Sequence, residues 1–354
     1  MQNINVKSEF FTYPNFFNIS SRINFTAKFP HETLKNEEVF FLDDYYGEMI
    51  RTDDYINKFA YTYVRKHQLN LPPAKKYFYL PHKRVPIYEC DSVKMMEQYI
   101  GMLNHAEDEK ILYRGQTRTY SLQRDDVESF NLYGDLNGVE PSFLTSGCRK
   151  GFDDKDLRAF WNYIGSFVAN DLVSGQANSR KKLDDFVSNP KFDMFSYGIA
   201  QHYGLPSVGL DLTDDLNNAL WFASNNYSIT NGKAEIKDLV DGDEPIVYIF
   251  KFPVRAVSQY QVTKPIFAGN VSRPDRQKAW FAHIGWGHAK NQAALFLEMA
   301  LKVPPLRKTT PEQTRYLFPS KEEDEILKII LNLKNKFDPS SKSYKILEGL
   351  YEFD

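Results

Sequence analysis

This chain of 354 residues has few cysteines and a small net charge. Its two cysteines, Cys90 and Cys148, do not form a C-x-x-C pair. This argues against a disulfide scaffold and a thiolate zinc site, and it favours a reducing cytoplasm as the location. The 44 basic and 46 acidic residues give a formal net charge of -2. The sequence therefore predicts no overall attraction to nucleic acid, although a local basic patch remains open.

Long apolar runs and several familiar catalytic motifs are also missing. No uninterrupted apolar run is long enough to span a bilayer, and residues 1–14 lack a signal-peptide pattern, so we expect no membrane association. The chain has no Walker-type phosphate loop, G-x-G-x-x-G, H-E-x-x-H or G-x-S-x-G motif. Its seven histidines, including His283 and His288 in a glycine-rich segment, show no metal-ligand spacing, and we expect no metal site.

Aromatic residues are abundant, with 27 Phe and 22 Tyr, and they supply apolar area for a large core. Residues 1–90 mix short aromatic runs with turn residues, and helical periodicity there predicts one helix over 53–66. We interpret 1–90 as an aromatic-rich N-terminal extension that docks onto the main body. The more regular pattern over 91–354 predicts the main domain.

The pattern of 91–354 alternates between helical and strand periods. It predicts an α+β fold in which helices flank a central mixed or antiparallel sheet. Amphipathic spacing predicts helices over 92–104, 154–173, 181–186 and 322–336. Apolar runs bounded by turn residues predict strands over 111–113, 246–252, 260–264 and 293–303.

The most informative stretch runs from Ala200 to Ala223. Its residues Gln201, His202 and Tyr203 directly precede a Gly-x-Pro bend, which would hold their side chains at set angles. Polar groups this dense are costly to bury in a locally apolar sequence, so we expect a site here. A lone histidine beside a turn is more often structural, but the polar neighbours favour a functional role.

The second half of this stretch leads into a predicted helix. Thr213 is the predicted N-cap, and Asp214 and Asp215 follow it at the positive end of the helix dipole. Capping accounts for these three residues. Asp211 lies just before the cap, and we retain it as a site candidate.

Two further segments carry charged donors. Tyr113-Arg114-Gly115-Gln116 ends a predicted strand, where the arginine fork suits a phosphate or carboxylate and the glycine admits close approach of a ligand. The alternative is a structural arginine that pairs with a carboxylate such as Asp211. In Arg273–Phe281, Arg276 and Gln277 suit a phosphate or a base edge. The alternative there is a solvated basic turn leading to buried aromatic residues.

These segments, in this order and spacing, resemble the FRG domain family over about residues 92–330. The family is named for an aromatic-Arg-Gly motif and also has an Ala-Gln-His-Tyr-Gly-Leu-Pro segment followed by a Leu-Asp element and a helix. This sequence has Val208 where the family usually has Arg, and Leu212 where it has Trp. The matching segments are 113–116, 200–206, 210–223, 273–281 and the Leu-Phe-Pro at 317–319.

The resemblance implies kinship with ADP-ribosyltransferases and a fold like theirs. Arg114 is similar to the strand residue that holds NAD in those enzymes, and it would bind the pyrophosphate or ribose. Tyr203 or another aromatic residue would stack on the nicotinamide. Asp211, or Glu298 as second choice, would supply the carboxylate beside the oxocarbenium-like centre. The implied catalytic set is Arg114, His202, Asp211 and Glu298, and the implied NAD-binding set is Tyr113, Arg114, Gly115, Gln116, Gln201, Tyr203, Arg276 and Gln277.

Three functions follow as hypotheses. The first is an enzyme that transfers ADP-ribose from NAD to a nucleic acid or protein, or hydrolyses NAD, in bacterial or phage conflict. The second is a non-catalytic module that binds a nucleotide or nucleic acid. The third is a structural or regulatory defence protein, in which Arg114 and Asp211 form a buried pair with no cavity beside them.

Overall fold

The computed structural model describes most of the chain beyond residue 70. The helix expected over 53–66 lies outside the described residues. Among the residues that the structure describes, none of the helices has the length and apolar character of a membrane span. The described residues are 40–42, 49–51, 71–80, 83–104, 107, 109–133, 135–174, 178–189, 191–237, 239–253, 259–261, 272–283, 289–304 and 310–353.

The strands form a large mixed sheet and two small ones. The eight-stranded sheet has the order β10-β11-β6-β5-β9-β12-β4-β3; β12 and β4 are parallel, and every other neighbouring pair is antiparallel. The strands are β1 (Phe40–Leu42), β2 (Met49–Arg51), β3 (Lys76–Leu80), β4 (Lys83–Glu89), β5 (Glu109–Gln116), β6 (Gly209–Thr213), β7 (Asn226–Thr230), β8 (Lys233–Lys237), β9 (Ile246–Pro253), β10 (Gln259–Gln261), β11 (Ala279–His283), β12 (Leu297–Lys302) and β13 (Glu352–Phe353).

Both faces of the large sheet are buried and helices flank it, so the fold is α+β, as predicted. Alternate residues of β9 show this directly, because Tyr248 and Phe250 belong to one core cluster and Val247 and Ile249 to another. The helices are α1 (Val93–Gly101), α2 (Asp126–Tyr133), α3 (Ser146–Arg149), α4 (Asp154–Val173), α5 (Ser179–Val187), α6 (Lys191–His202), α7 (Leu216–Ser224), α8 (Arg273–Arg276), α9 (Pro311–Leu317), α10 (Glu325–Lys334) and α11 (Lys342–Leu347).

A helical layer around α4 forms the largest apolar cluster. Fully buried Trp161 and Ile164 of α4 pack in one cluster with Phe195 of α6 and Ile330 of α10. This cluster also includes Phe281 of β11, so the helical layer is fixed to the β6–β11 side of the sheet. The layer holds the C-terminal end of α6, with Gln201 and His202, next to β6.

Strands β3 and β4 belong to the large sheet although they precede residue 90, where the sequence-based boundary was drawn. Strand β4 pairs with β3 on one side and with β12 on the other. The large sheet thus begins at Lys76 or earlier. This pairing joins sequence-distant segments, which local periodicity does not reveal.

Several sequence-based elements are confirmed, and two differ. The helices over 154–173 and 322–336 and the strand over 246–252 are confirmed within a few residues. The strand expected over 293–303 begins instead with a 3₁₀ helix, Gln292–Phe296, before β12.

The prediction that Thr213 is the N-cap of α7 was wrong. Asp215 caps α7 by accepting hydrogen bonds from the backbone of Asn217 and Asn218. Thr213 ends β6 instead, where its hydroxyl donates to the carbonyl of Gln277 at 2.8 Å.

Candidate functional site

A cleft of about 340 Å³ opens where β5, β6, α6 and α7 meet. Its lining includes eight of the eleven residues in the implied catalytic and NAD-binding sets. They are Tyr113, Arg114, Gly115, Gln116, Gln201, His202, Asp211 and Gln277.

The centre of the cleft is an ion pair between neighbouring strands. Arg114 of β5 donates from Nη1 to the carboxylate of Asp211 on β6, and also to the backbone carbonyl of Asp211 at 2.8 Å. The side chains are 14% and 29% exposed, so both remain accessible from the cleft. The pairing weighed as an alternative in the sequence analysis is therefore present. The structural hypothesis also expected no cavity beside the pair, whereas the cleft lies there.

Gly115 allows α7 to pack directly on the strand that carries Arg114. A Cβ at this position would lie 1.8 Å from the backbone oxygen of Ala219 and 2.7 Å from the nitrogen of Ala223. Only a residue without a side chain fits this contact. The glycine thus has a packing role as well as its place in the cleft wall.

The polar residues of the Ala200–Ala223 stretch enter the cleft from a helix end. Gly204, with a φ of 76°, ends α6, and the hydrogen bonds from Gly204 N to Gln201 O and from Leu205 N to Ala200 O form a Schellman motif. Gln201 then donates from Nε2 to the Asp211 carboxylate at 3.1 Å. Asp211 is therefore held from two sides.

The charges of the central groups follow from these contacts. Burial would raise the pKa of Asp211, but the positive charge of Arg114 and the hydrogen bonds outweigh it, so the pKa is lowered and the carboxylate is ionised. Burial lowers the pKa of His202, against the opposing effect of Asp211. His202 is neutral at pH 7, and its Nε2 lies 3.4 Å from the carbonyl of Trp280. Asp211 suits electrostatic stabilisation better than proton transfer.

Two cations that the sequence analysis missed also line the cleft. Arg149 and Lys150 follow one another at the end of α3, and both are exposed. One nitrogen of Arg149, Nη1, donates to the carbonyl of Leu144. A signal was present in the sequence, because this basic pair directly precedes a glycine, Gly151.

Aromatic side chains form another part of the cleft wall. Phe222, Tyr227, Phe318 and Tyr351 all line it. The rings of Tyr227 and Tyr351 lie 5.6 Å apart between centroids, and their hydroxyls are 3.2 Å apart. The rings of Phe222 and Phe318 lie 6.0 Å apart. These residues come from α7, β7 and the C-terminal segment, so only tertiary packing assembles the group, which we call the aromatic wall.

Three predicted site residues lie elsewhere. Tyr203 is fully buried and donates from its hydroxyl to both carboxylate oxygens of Asp324, at 2.8 and 2.7 Å, so it cannot stack on a ligand in this cleft. Arg276 donates to the carbonyl of Tyr316 at 3.3 Å and does not line the cleft. Glu298 is buried on β12, also outside the cleft lining.

Arg273, beside these residues, supports the aromatic wall from behind. It is fully buried, and its guanidinium lies over the rings of Tyr203, Phe318 and Tyr351 at 4.9, 5.1 and 4.8 Å from their centroids. It also donates from Nη2 to the carbonyl of Tyr351 at 3.0 Å. The arginine therefore fixes two of the rings that line the cleft.

The described side chains include no group of three or more His, Cys, Asp or Glu that could hold a metal ion. No protein-family model, no curated protein and no solved structure matches this chain.

Proposed function

We propose that the cleft binds a nucleotide, and that the protein is an ADP-ribosyltransferase-like enzyme that uses NAD as its substrate. One observation carries the proposal: segments far apart in sequence bring the Arg114–Asp211 pair, two further cations and the aromatic wall to a single cleft. Phosphates suit the cations, and planar bases suit the aromatic rings. The FRG resemblance supports the same assignment through its own motifs.

The residues of the cleft suit the cleavage of a glycosidic bond. When the bond between the ribose carbon and the nicotinamide nitrogen breaks, nicotinamide leaves with the electron pair and positive charge develops on the ribose. The ionised Asp211, held by Arg114 and Gln201, would stabilise that charge. An acceptor oxygen or nitrogen then attacks the ribose carbon and loses its proton to water; attack by water itself gives hydrolysis.

The test is release of nicotinamide from NAD by the purified full chain, alone and with DNA, RNA or protein added. We expect release to fall by about 100-fold or more in Arg114→Ala, because the developing charge loses its fixed carboxylate. Arg180→Ala, an exposed arginine of α5 outside the cleft, is the matched control. Full activity of Arg114→Ala, or no release by the folded wild-type protein under any of these conditions, would contradict the proposal.

A non-catalytic nucleotide-binding module is the second candidate. The observation in its favour is that the Asp211 carboxylate already accepts hydrogen bonds from Arg114 and Gln201. Its lowered pKa makes it a weak proton acceptor. This candidate would be favoured if the wild-type protein binds NAD without releasing nicotinamide and if Arg114→Ala loses that binding.

A further inference from the structure

We propose that Arg149 and Lys150 form a phosphate-binding subsite at one edge of the cleft, which takes the diphosphate of a free nucleotide. The inference deepens the proposed function and rests on the same cleft. It moves the phosphate contact from Arg114, where the family resemblance places it, to two residues that the sequence motifs do not include.

The charges of the cleft support a bound anion. Among the described residues that line it, Arg114, Arg149 and Lys150 are cations, and Asp211 is the single carboxylate. Asp211 is paired with Arg114. Neither Arg149 nor Lys150 makes an ion pair with a described residue, so neither of these two positive charges has a carboxylate in direct contact. A diphosphate would supply the negative charge.

The two cations also lie close enough to affect each other. Partial desolvation by the cleft wall and then the positive charge of Arg114 lower the pKa of Arg149, although Asp211 acts in the opposite direction. Partial desolvation and then the charge of Arg149 lower the pKa of Lys150. A run of like charges at one edge of a cleft is unfavourable, and the one carboxylate among the described lining residues, Asp211, is already paired with Arg114. An anion between Arg149 and Lys150 removes this repulsion as it binds.

The backbone that carries the two residues is held firmly. Thr145 caps α3 by accepting from the backbone of Cys148 at 3.3 Å. Gly147 donates to the carbonyl of Ser207 at 2.9 Å, and Ser146 Oγ accepts from the nitrogen of Ser207 at 3.0 Å. Both side chains therefore start from a fixed backbone at the cleft edge, which lowers the entropy lost on binding.

Lys150 lies next to the segment that supplies part of the aromatic wall. A Cβ built on Gly349 would be 3.7 Å from Lys150 Nζ, and Gly349 precedes the cleft-lining Tyr351 by two residues. A cation beside the segment that carries Tyr351 suits a ligand whose phosphates adjoin a planar base. The cleft volume of about 340 Å³ is in the range of small-molecule pockets, which favours a free nucleotide over a nucleic-acid chain.

The experiment measures binding by calorimetry, with inorganic pyrophosphate, ADP and adenosine as separate probes. The variants are the full chain with Arg149→Ala and Lys150→Ala together, and a matched control with Arg180→Ala and Lys181→Ala, an adjacent exposed pair on α5. We expect the cleft-edge variant to bind pyrophosphate and ADP at least about 10-fold more weakly, because charge-assisted hydrogen bonds are lost. Adenosine binding should change less than about twofold, since adenosine carries no phosphate for the two cations to bind.

Unchanged binding of pyrophosphate and ADP by the cleft-edge variant would overturn the subsite, as would an equal loss in the control. A single-stranded oligonucleotide serves as a further probe. If it binds through Arg149 and Lys150 while pyrophosphate does not, the phosphate source is nucleic acid and the proposal is wrong.

Nicotinamide release separates this inference from the proposed function. If pyrophosphate binding depends on Arg149 and Lys150 but no nicotinamide is released, the phosphate subsite stands and the proposed NAD cleavage is wrong. If the cleft-edge variant releases nicotinamide normally and its pyrophosphate binding is unchanged, the proposed NAD chemistry stands and the phosphate subsite is wrong.

Discussion

Arg114 contacts Asp211 twice, through the carboxylate and through the backbone carbonyl at 2.8 Å. The two contacts join adjacent strands β5 and β6 at the point where the cleft opens. One pair therefore couples the stability of the sheet to the shape of the site. Its partial exposure places its energy between that of a surface pair and that of a fully buried one.

The costs of removing the two partners should not add. We expect Arg114→Met or Asp211→Asn alone to lower the free energy of unfolding by roughly 1–3 kcal/mol, because a partly buried polar group loses its partner. The double variant should be less destabilised than the sum of the two. Urea unfolding of all four proteins measures the coupling, and additive losses would show that the pair contributes no net interaction.

Gly115 should not tolerate even a methyl group. The Cβ of Gly115→Ala would lie 1.8 Å from the Ala219 oxygen, so α7 must move away from β5. We expect a loss of at least about 1–3 kcal/mol and a weaker interaction with nucleotide. Gly101→Ala is the matched control, since nothing lies within 4 Å of its Cβ, and it should be neutral or slightly stabilising. Thermal unfolding distinguishes the two, and equal melting temperatures would refute the packing role.

Tyr203→Phe tests a structural role for the motif tyrosine. Its hydroxyl donates to Asp324, which is buried and caps α10 by accepting from Leu327 N at 3.1 Å. Loss of this donor should lower the free energy of unfolding by about 1–3 kcal/mol. Tyr163→Phe, at an exposed tyrosine, should change it by less than about 0.5 kcal/mol. Nucleotide binding should remain in both variants, and its loss in folded Tyr203→Phe would place Tyr203 in the site after all.

His202 should make stability depend on pH. Burial holds its pKa in the folded state below the ordinary histidine value of about 6.5, so below that pH the unfolded chain binds more protons. The contribution of the neutral imidazole to the free energy of unfolding is complete above about pH 6.5 and is lost as the pH falls through the folded pKa. The loss amounts to up to about 2 kcal/mol between pH 7 and pH 5. The groups facing the ring are Asp211, Arg114, Gln277 and the Trp280 carbonyl.

The measurement is urea unfolding of wild-type and His202→Gln at pH 7 and pH 5. Carboxylates elsewhere titrate in both proteins, so the difference between the two pH dependences isolates the histidine. We expect the variant to lose less stability over this range than the wild type. Identical pH dependences would mean that the imidazole is free to protonate in the folded protein.

Local periodicity was sufficient for the elements that bury one face in a regular repeat. The spacing of Leu157, Trp161, Ile164 and Val168 indicated the long helix α4, and all four are fully buried. The apolar run of β9 likewise indicated a strand buried on both faces. These signals are local, since a period of 3.6 or 2 residues is visible within a single helix or strand.

Some of the residues that the motifs singled out line the cleft, and others lie outside it. Gln201, His202 and Asp211 all line it, whereas Tyr203, adjacent to His202, enters the core. The turn that follows α6 sends successive side chains to different sides. A motif therefore locates a region, and the backbone path decides which of its side chains are accessible.

The sequence by itself determined the fold class, several helix and strand positions, and the dense polar segment around Gln201 and Asp211. Tertiary structure alone decided that Arg149, Lys150, Tyr227 and Tyr351 join this segment in one cleft. Their positions depend on pairing between distant strands and on packing of the C-terminal segment, as in the parallel contact of β13 with β8. Such contacts leave no periodic trace in the chain, because the partners are set by the folded core and not by their neighbours in sequence.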